Sequence, residues 1–236
     1  MSKRLGILSD IHGNQYAWRS FLDKLPQLNL DELIFCGDIF GYYYGQAEII
    51  NSLNKLQNLT CILGNHDHYY LEMKAKRINP DYLSKRYGST YLRQQSITVE
   101  HYEYLLSLKP EATLTRESLI IKIFHGGPSD YLEERLYPDK VKKMQLDADI
   151  LISGHTHFRL YCQVGNLLLI NPGSLGQPRD RNPAGFAVLT LPELKVEFIN
   201  IDYDRSALAN DIKRFDPGNE KLLELLSRSP NGNDYE

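Results

Sequence analysis

Short apolar runs alternate with amphipathic stretches through the first third of the chain. Residues 5–8 form a continuous apolar run, the pattern of a buried strand. Residues 14–25 follow with helical spacing, and Asn14 stands where an N-cap belongs. Residues 32–36 and 60–63 repeat the strand pattern. Between them, residues 47–56 put Ile49, Ile50, Leu53 and Leu56 on one helical face. This strand–helix–strand–helix–strand order predicts a parallel sheet with right-handed crossovers. Residues 69–110 read as a Tyr-rich helical insertion over the edge of the fold, with two short helices near 98–104 and 105–108.

The second half is β-rich. Residues 119–124 and 150–153 read as strands. Residues 158–164 and 167–170 flank Gly165-Asn166, a two-residue hairpin signal, and residues 184–191 and 194–201 flank Pro192-Glu193. A mixed or antiparallel second sheet packed on the first is expected. Residues 229–236 are polar and are expected to fray.

With 236 residues and 42% apolar content, the chain can bury one sizeable core, and a single domain over 1–236 is expected. A net charge of −3 argues against stable nucleic-acid binding. An anionic ligand therefore needs local cations. Cys36, Cys61 and Cys162 lack C-x-x-C spacing, and Cys36 and Cys61 lie in apolar runs, so free thiols and a reducing compartment are expected. The apolar run after Arg4 is too short for a signal peptide, and no stretch approaches a membrane span. These features predict a cytoplasmic protein.

The polar residues that interrupt the strands carry the chemistry. Asp10-Ile11-His12, Gly37-Asp38, Gly64-Asn65-His66-Asp67, His125-Gly126-Gly127 and Gly154-His155-Thr156-His157 each follow an apolar run. Asp, Asn and His supply oxygen and nitrogen ligands to divalent metals. Turns at the carboxyl ends of strands are where α/β sheets build their sites. Asp10 and His12 are two apart, as are His155 and His157, and in extended backbone such pairs point to one side. Asp38 can bridge two cations with its two oxygens.

These five blocks resemble, in order, the D-x-H, G-D, G-N-H-D/E, H and G-H-x-H pattern of calcineurin-like metallophosphoesterases. Gly37-Asp38-Ile39-Phe40-Gly41-Tyr42 and the segment from Asn171 to Arg179 are similar to the small bacterial and archaeal phosphodiesterase branch. The likeness spans about residues 5–200. Asp67 stands where the Ser/Thr protein phosphatases carry Glu, and the Arg they carry shortly after the second Asp is absent.

The resemblance implies an α/β fold, a four-layer αββα sandwich of two mixed sheets flanked by helices. It implies that Asp10, His12 and His157 hold one metal, that Asn65, His125 and His155 hold a second, and that Asp38 bridges. His66 would act on the leaving oxygen and Asp67 would orient it. Two ions about 3.5–4 Å apart would share a hydroxide that attacks a phosphodiester in line. The ligand mix suits transition metals, Mn foremost, with Fe, Zn, Ni or Co as alternatives. The implied partner is a small phosphoester. Phosphomonoester or nucleotide-pyrophosphate hydrolysis is the nearest alternative, and a non-catalytic protein-binding scaffold of the same fold is the alternative of another kind.

Outside the pattern, His68 and His101 are expected to pack or face solvent. Arg179 is a candidate phosphate contact, with a solvated loop arginine as the alternative. Tyr42, Tyr43, Tyr44, Tyr69 and Tyr70 flank ligand turns, either as an aromatic rim or as packing. Gly173 and Gly176 read as turn glycines, and Lys140, Lys142 and Lys143 as one solvated helix face.

Overall fold

A computed structural model describes residues 2–180 and 183–227. β1 (Lys3–Leu8), α1 (Gln15–Lys24), β2 (Glu32–Phe35), α2 (Gln46–Leu53) and β3 (Leu59–Cys61) follow the order the apolar pattern predicts. β1 pairs in parallel with β2, and β2 with β3. Asn14 caps α1: its side-chain oxygen accepts from the Ala17 amide at 3.1 Å, which satisfies one of the helix's unpaired donors.

The strands of the second half divide between two sheets. β4 (Glu111–Arg116), β5 (Leu119–Phe124), β6 (Ile150–Ile152), β7 (Arg159–Val164) and β8 (Leu167–Pro172) form one sheet in the order β4-β5-β6-β8-β7. The hairpin of β9 (Gly185–Leu191) and β10 (Lys195–Asn200) instead completes the first, giving β10-β9-β1-β2-β3 with β9 antiparallel to β1. Burial explains the choice. Phe186 and Val188 of β9 pack towards the helices, while Ala187 and Leu189 pack towards the second sheet, so β9 needs cover on both faces.

Leu5, Ile7 and Ile34 meet Ile121, Ile152 and Ile170 between the sheets. On the other face of the first sheet, Leu8, Leu33 and Phe35 pack on Trp18, Phe21, Ile49 and Ile50. The fourth layer is thin. Leu136 and Val141 cover Phe124, Leu151 and Leu169, and Val141 belongs to the four-residue helix α6 (Pro138–Val141). Lys142 and Lys143 lie beyond that helix, and Lys140 pairs with Glu134 at 2.7 Å, so the expected lysine face does not form.

Between β3 and β4 the chain is helical, but it is divided differently from the expectation. α3 (Asn65–Lys74) starts inside the third ligand turn. α4 (Pro80–Tyr87) buries only Leu83 and so shows no apolar period; it is fixed locally by Pro80 and by Asn79, whose side chain accepts from the Asp81 amide. α5 (Val99–Ser107) is one helix, unbroken at Leu105. His101 packs within it, accepting from the Thr98 amide and facing Asn51 at 3.0 Å. α7 (Arg205–Phe215) and α8 (Glu220–Ser227) follow β10, and Leu208, Ile212 and Leu222 pack on Tyr42 and Tyr43. The segment expected to fray, 229–236, lies outside the described residues. Cys36, Cys61 and Cys162 are free thiols. Among the described residues, no helix is long and apolar enough to cross a membrane.

Candidate metal centre

All five ligand turns lie at carboxyl ends of strands. Asp10 and His12 follow β1, Asp38 follows β2, Asn65 follows β3, His125 follows β5, and His155 and His157 follow β6. The pairs Asp10/His12 and His155/His157 do not converge through extended backbone, as their spacing suggested. Asp10, His12, Asp38, His155 and His157 all have positive φ, between 50° and 67°. Each left-handed residue turns the chain sharply, which returns the next ligand to the same side. Such a conformation costs a non-glycine residue roughly 1–2 kcal/mol, so the surrounding structure must hold it. Two glycines allow the turns to touch. A Cβ on Gly64 would lie 2.1 Å from Asp38 Oδ1, and one on Gly176 would lie 1.8 Å from the Ile11 carbonyl oxygen.

The hydrogen bonds at the back of the rings decide what the rings present at the front. His12 Nδ1 donates to Phe40 O at 2.8 Å, His125 Nδ1 to Cys36 O at 2.7 Å and His157 Nδ1 to Gln177 O at 2.6 Å. A carbonyl can only accept, so each Nδ1 carries a proton, and each ring, when neutral, offers an Nε2 lone pair. His12 Nε2 and His157 Nε2 stand 3.0 Å apart. Two lone pairs at that distance repel unless a cation lies against both. His155 is turned round: its Nδ1 lies 3.1 Å from Asn65 Oδ1, and His125 Nε2 lies 2.9 Å from the same oxygen.

The carboxylates repeat this division of labour. Asp10 Oδ2 accepts from the His155 amide, and Asp38 Oδ1 accepts from the His66 amide. Asp10 Oδ1 and Asp38 Oδ2 are buried with no hydrogen-bond partner. Buried acceptors are nearly always satisfied. Acceptor atoms of seven residues thus face one enclosed space, and the donor set fits divalent cations.

The protonation preferences conflict in a way a cation would relieve. Burial raises Asp38, and burial followed by His157 lowers His12. Burial also works to raise Asp10, but His157, His125 and His12 outweigh it and hold the carboxyl below its ordinary value. Burial opposes the charge on His125, yet Asp38 pushes it up to about 10.

His66 lies at the same centre, with a ring nitrogen within 4.8 Å of ligand atoms of His12 and Asp38. Its Nδ1 stands 2.8 Å from the hydroxyl of Tyr91, which is 1% exposed. Asp67, expected to orient this ring, is used elsewhere. Its carboxylate accepts from the amides of Asp38, Phe40 and Gly64 at 2.8–3.1 Å and ties the second ligand turn to the third. The reason is helical geometry: both residues sit in the first turn of α3, where neighbours project about 100° apart and do not face each other. The sequence reading missed Tyr91, and only the Tyr-rich character of its segment could have pointed to it.

A polar cavity of about 200 Å³ opens on the centre. Arg179 lies on it and donates to the Tyr42 hydroxyl at 3.1 Å. Of the tyrosines beside the ligand turns, Tyr42 and Tyr69 border the cavity, as does Tyr87, whereas Tyr43 and Tyr70 are buried packing residues. His68 is on the surface near Glu72.

Comparison with known proteins places this geometry. Residues 4–193 match the family model for the calcineurin-like phosphoesterase superfamily domain. The protein MJ0912 of Methanocaldococcus jannaschii is 29% identical over 221 residues, covering 85% of this chain and 88% of that protein. The phosphodiesterase YfcE of Escherichia coli K12 is 25% identical over 215 residues, covering 87% and 96%. The crystal structure of a metallophosphoesterase from Sphaerobacter thermophilus superposes with a TM-score of 0.79 at 24% identity, over 97% of this chain and all of the other, and so shares the fold.

Proposed function

The chain belongs to the calcineurin-like phosphoesterase superfamily, and from that premise we propose that it hydrolyses phosphodiesters at a centre of two divalent transition-metal ions, with manganese the best suited. The observation that carries the reading is the pair of orphaned oxygens, Asp10 Oδ1 and Asp38 Oδ2, among imidazole nitrogens whose protons point away. Asp10, His12 and His157 would hold one ion; Asn65, His125 and His155 would hold the other; Asp38 would serve both. When bound, the ions supply Lewis acidity and lower the pKa of water.

The chain's own residues do the rest. Phe40, Cys36 and Gln177 fix the tautomers of His12, His125 and His157 through their carbonyls. The Tyr91 hydroxyl has two acceptors, His66 Nδ1 at 2.8 Å and the His66 carbonyl at 3.3 Å. We assign the hydroxyl proton to the shorter bond. The proton of His66 then sits on Nε2, the nitrogen free to serve the leaving oxygen as donor. Burial, which holds His66 below the ordinary histidine range, favours this neutral donor. Arg179 adds positive charge where phosphoryl oxygens would gather.

Preference for diesters draws support from relatives named phosphodiesterases, YfcE among them. The scaffold alternative has no observation in its favour, since no ligand position has been lost. Turnover of bis(p-nitrophenyl) phosphate by the Mn²⁺-loaded protein, faster than turnover of p-nitrophenyl phosphate, tests the proposal. Strong monoesterase activity with negligible diester hydrolysis would overturn the diester preference, and no turnover of any phosphoester would overturn the enzyme.

A further inference from the structure

The cavity over the metal centre has a second ring of charge that the reaction itself does not require. Arg86, Arg135, Arg179 and Lys221 all border it, and they come from four different places. Arg86 is in α4, Arg135 is in the segment between β5 and α6, Arg179 follows β8, and Lys221 is in α8. Convergence of four cations in a chain of net charge −3 runs against the overall balance.

Two acids, Asp38 and Glu133, face the four cations across the cavity, too few to cancel them. Asp38 belongs to the metal centre. Glu133, the other acid on the cavity, accepts from the Tyr69 hydroxyl and lies 3.9 Å from His155 Nε2. Among the described residues, none of the four cations is in an ion pair. Arg86 donates to the Tyr82 hydroxyl, and its guanidinium lies 5.3 Å from the centre of the Tyr87 ring. Arg179 donates to Tyr42 and Gln177. A surface cation ordinarily gains little from a partner, but several converging on one concave site raise the local concentration of anions.

The cations also differ in depth. Arg179 is partly buried beside Tyr42. Arg86, Arg135 and Lys221 are exposed and ring the cavity farther out. Lys221 is held there by its neighbour: Leu222 is buried against the Tyr42–Tyr43 cluster, and a Cβ at Gly88 would lie 3.1 Å from Leu222 Cδ1. Asp216, just before α8, accepts from the Ser89 amide and from the Tyr44 hydroxyl at 2.5 Å. Helix α8 lies beyond residue 193, where the family match ends. The outer ring is therefore built in part from residues beyond that match.

Building on the phosphoesterase reading, we infer that the substrate is a phosphodiester that carries a second phosphate group. The scissile phosphate sits at the metal centre and Arg179, and a second phosphate is held by Arg86, Arg135 and Lys221. A mono-anionic ester would leave this outer ring idle.

Calorimetry separates the outer ring from the chemistry. The Mn²⁺-loaded protein should bind thymidine 3′,5′-bisphosphate about ten-fold more tightly than thymidine 5′-monophosphate, the worth of two partly exposed ion pairs. The preference should weaken with added salt and fall to within about two-fold in Arg135→Gln/Lys221→Gln. Equal affinities in the unaltered protein, or a preference that survives in the double variant, would overturn the inference. The ligands are not required to turn over. Hydrolysis of bis(p-nitrophenyl) phosphate, assayed on the same preparation, reports on the phosphoesterase reading alone. Loss of that activity with the binding preference intact would sink the reaction and leave the anion site standing.

Discussion

The hydroxyl of Tyr91 stands 2.8 Å from Nδ1 of His66, and both side chains are buried. The bond joins the helical segment between β3 and β4 to the metal centre. It fixes the direction of the imidazole and, with the hydroxyl as donor, leaves the ring proton on Nε2. Tyr91→Phe removes one oxygen and little volume. It should lower kcat about ten-fold, the order of one buried hydrogen bond, with KM and metal content nearly unchanged. The deficit should be larger for esters of weakly acidic alcohols than for nitrophenyl esters. A uniform deficit across leaving groups, or none, would mean that Tyr91 only packs.

His66→Asn removes the proposed proton donor and leaves every proposed ligand in place. The expected loss in kcat is on the order of 10²–10⁴-fold, the usual range for general acid–base catalysis. Elemental analysis should still return two equivalents. If the variant loses metal in step with activity, His66 is a ligand or a brace for Asn65 instead.

Asp38 is the one carboxylate proposed to serve both ions. Asp38→Ala should weaken both metal sites together, so metal content should fall well below one equivalent after dialysis against a chelator that leaves the unaltered protein loaded. Retention of one tight equivalent would show that the two sites are independent.

Gly64 offers a test in which no polar group is removed. A Cβ there would lie 2.1 Å from Asp38 Oδ1 and 2.2 Å from the Asp38 amide nitrogen, so the second and third ligand turns must part. Gly64→Ala should lose metal affinity and activity while far-UV circular dichroism stays native. Full metal content in this variant would show that the turns can yield without cost.

The proposed ligands could be picked out in the sequence because the chemistry confines them to a few residue types at the ends of apolar runs. Asp10, His12, Asp38, Asn65, His125, His155 and His157 all meet in one place. Their partners were not legible. Tyr91 lies 25 positions after His66, and its contact depends on how α3, α4 and the turn after them fold back. Asp67 misled through adjacency, because residues next to each other in a helix point apart. Edge strand β4, with alternating exposed positions, carries little apolar signal. Helix α8 does carry one, in Leu222, Leu223, Leu225 and Leu226, and close attention to periodicity would have found it. The pairing of β9 with β1 was hidden for another reason: Ile7 pairs with Ala187 and Lys3 with Leu191, partners far apart along the chain, and no local pattern encodes that.

The left-handed backbone at Asp10, His12, Asp38, His155 and His157 has a consequence for anyone who wishes to harden this protein. These five positions are where glycine would relax the chain, so a selection for heat resistance alone would drift towards them. Each such gain would remove a proposed ligand. The turns that make the centre possible are also the cheapest places to gain stability, and thermal tolerance and metal affinity should trade against each other at these residues before they do so anywhere in the core.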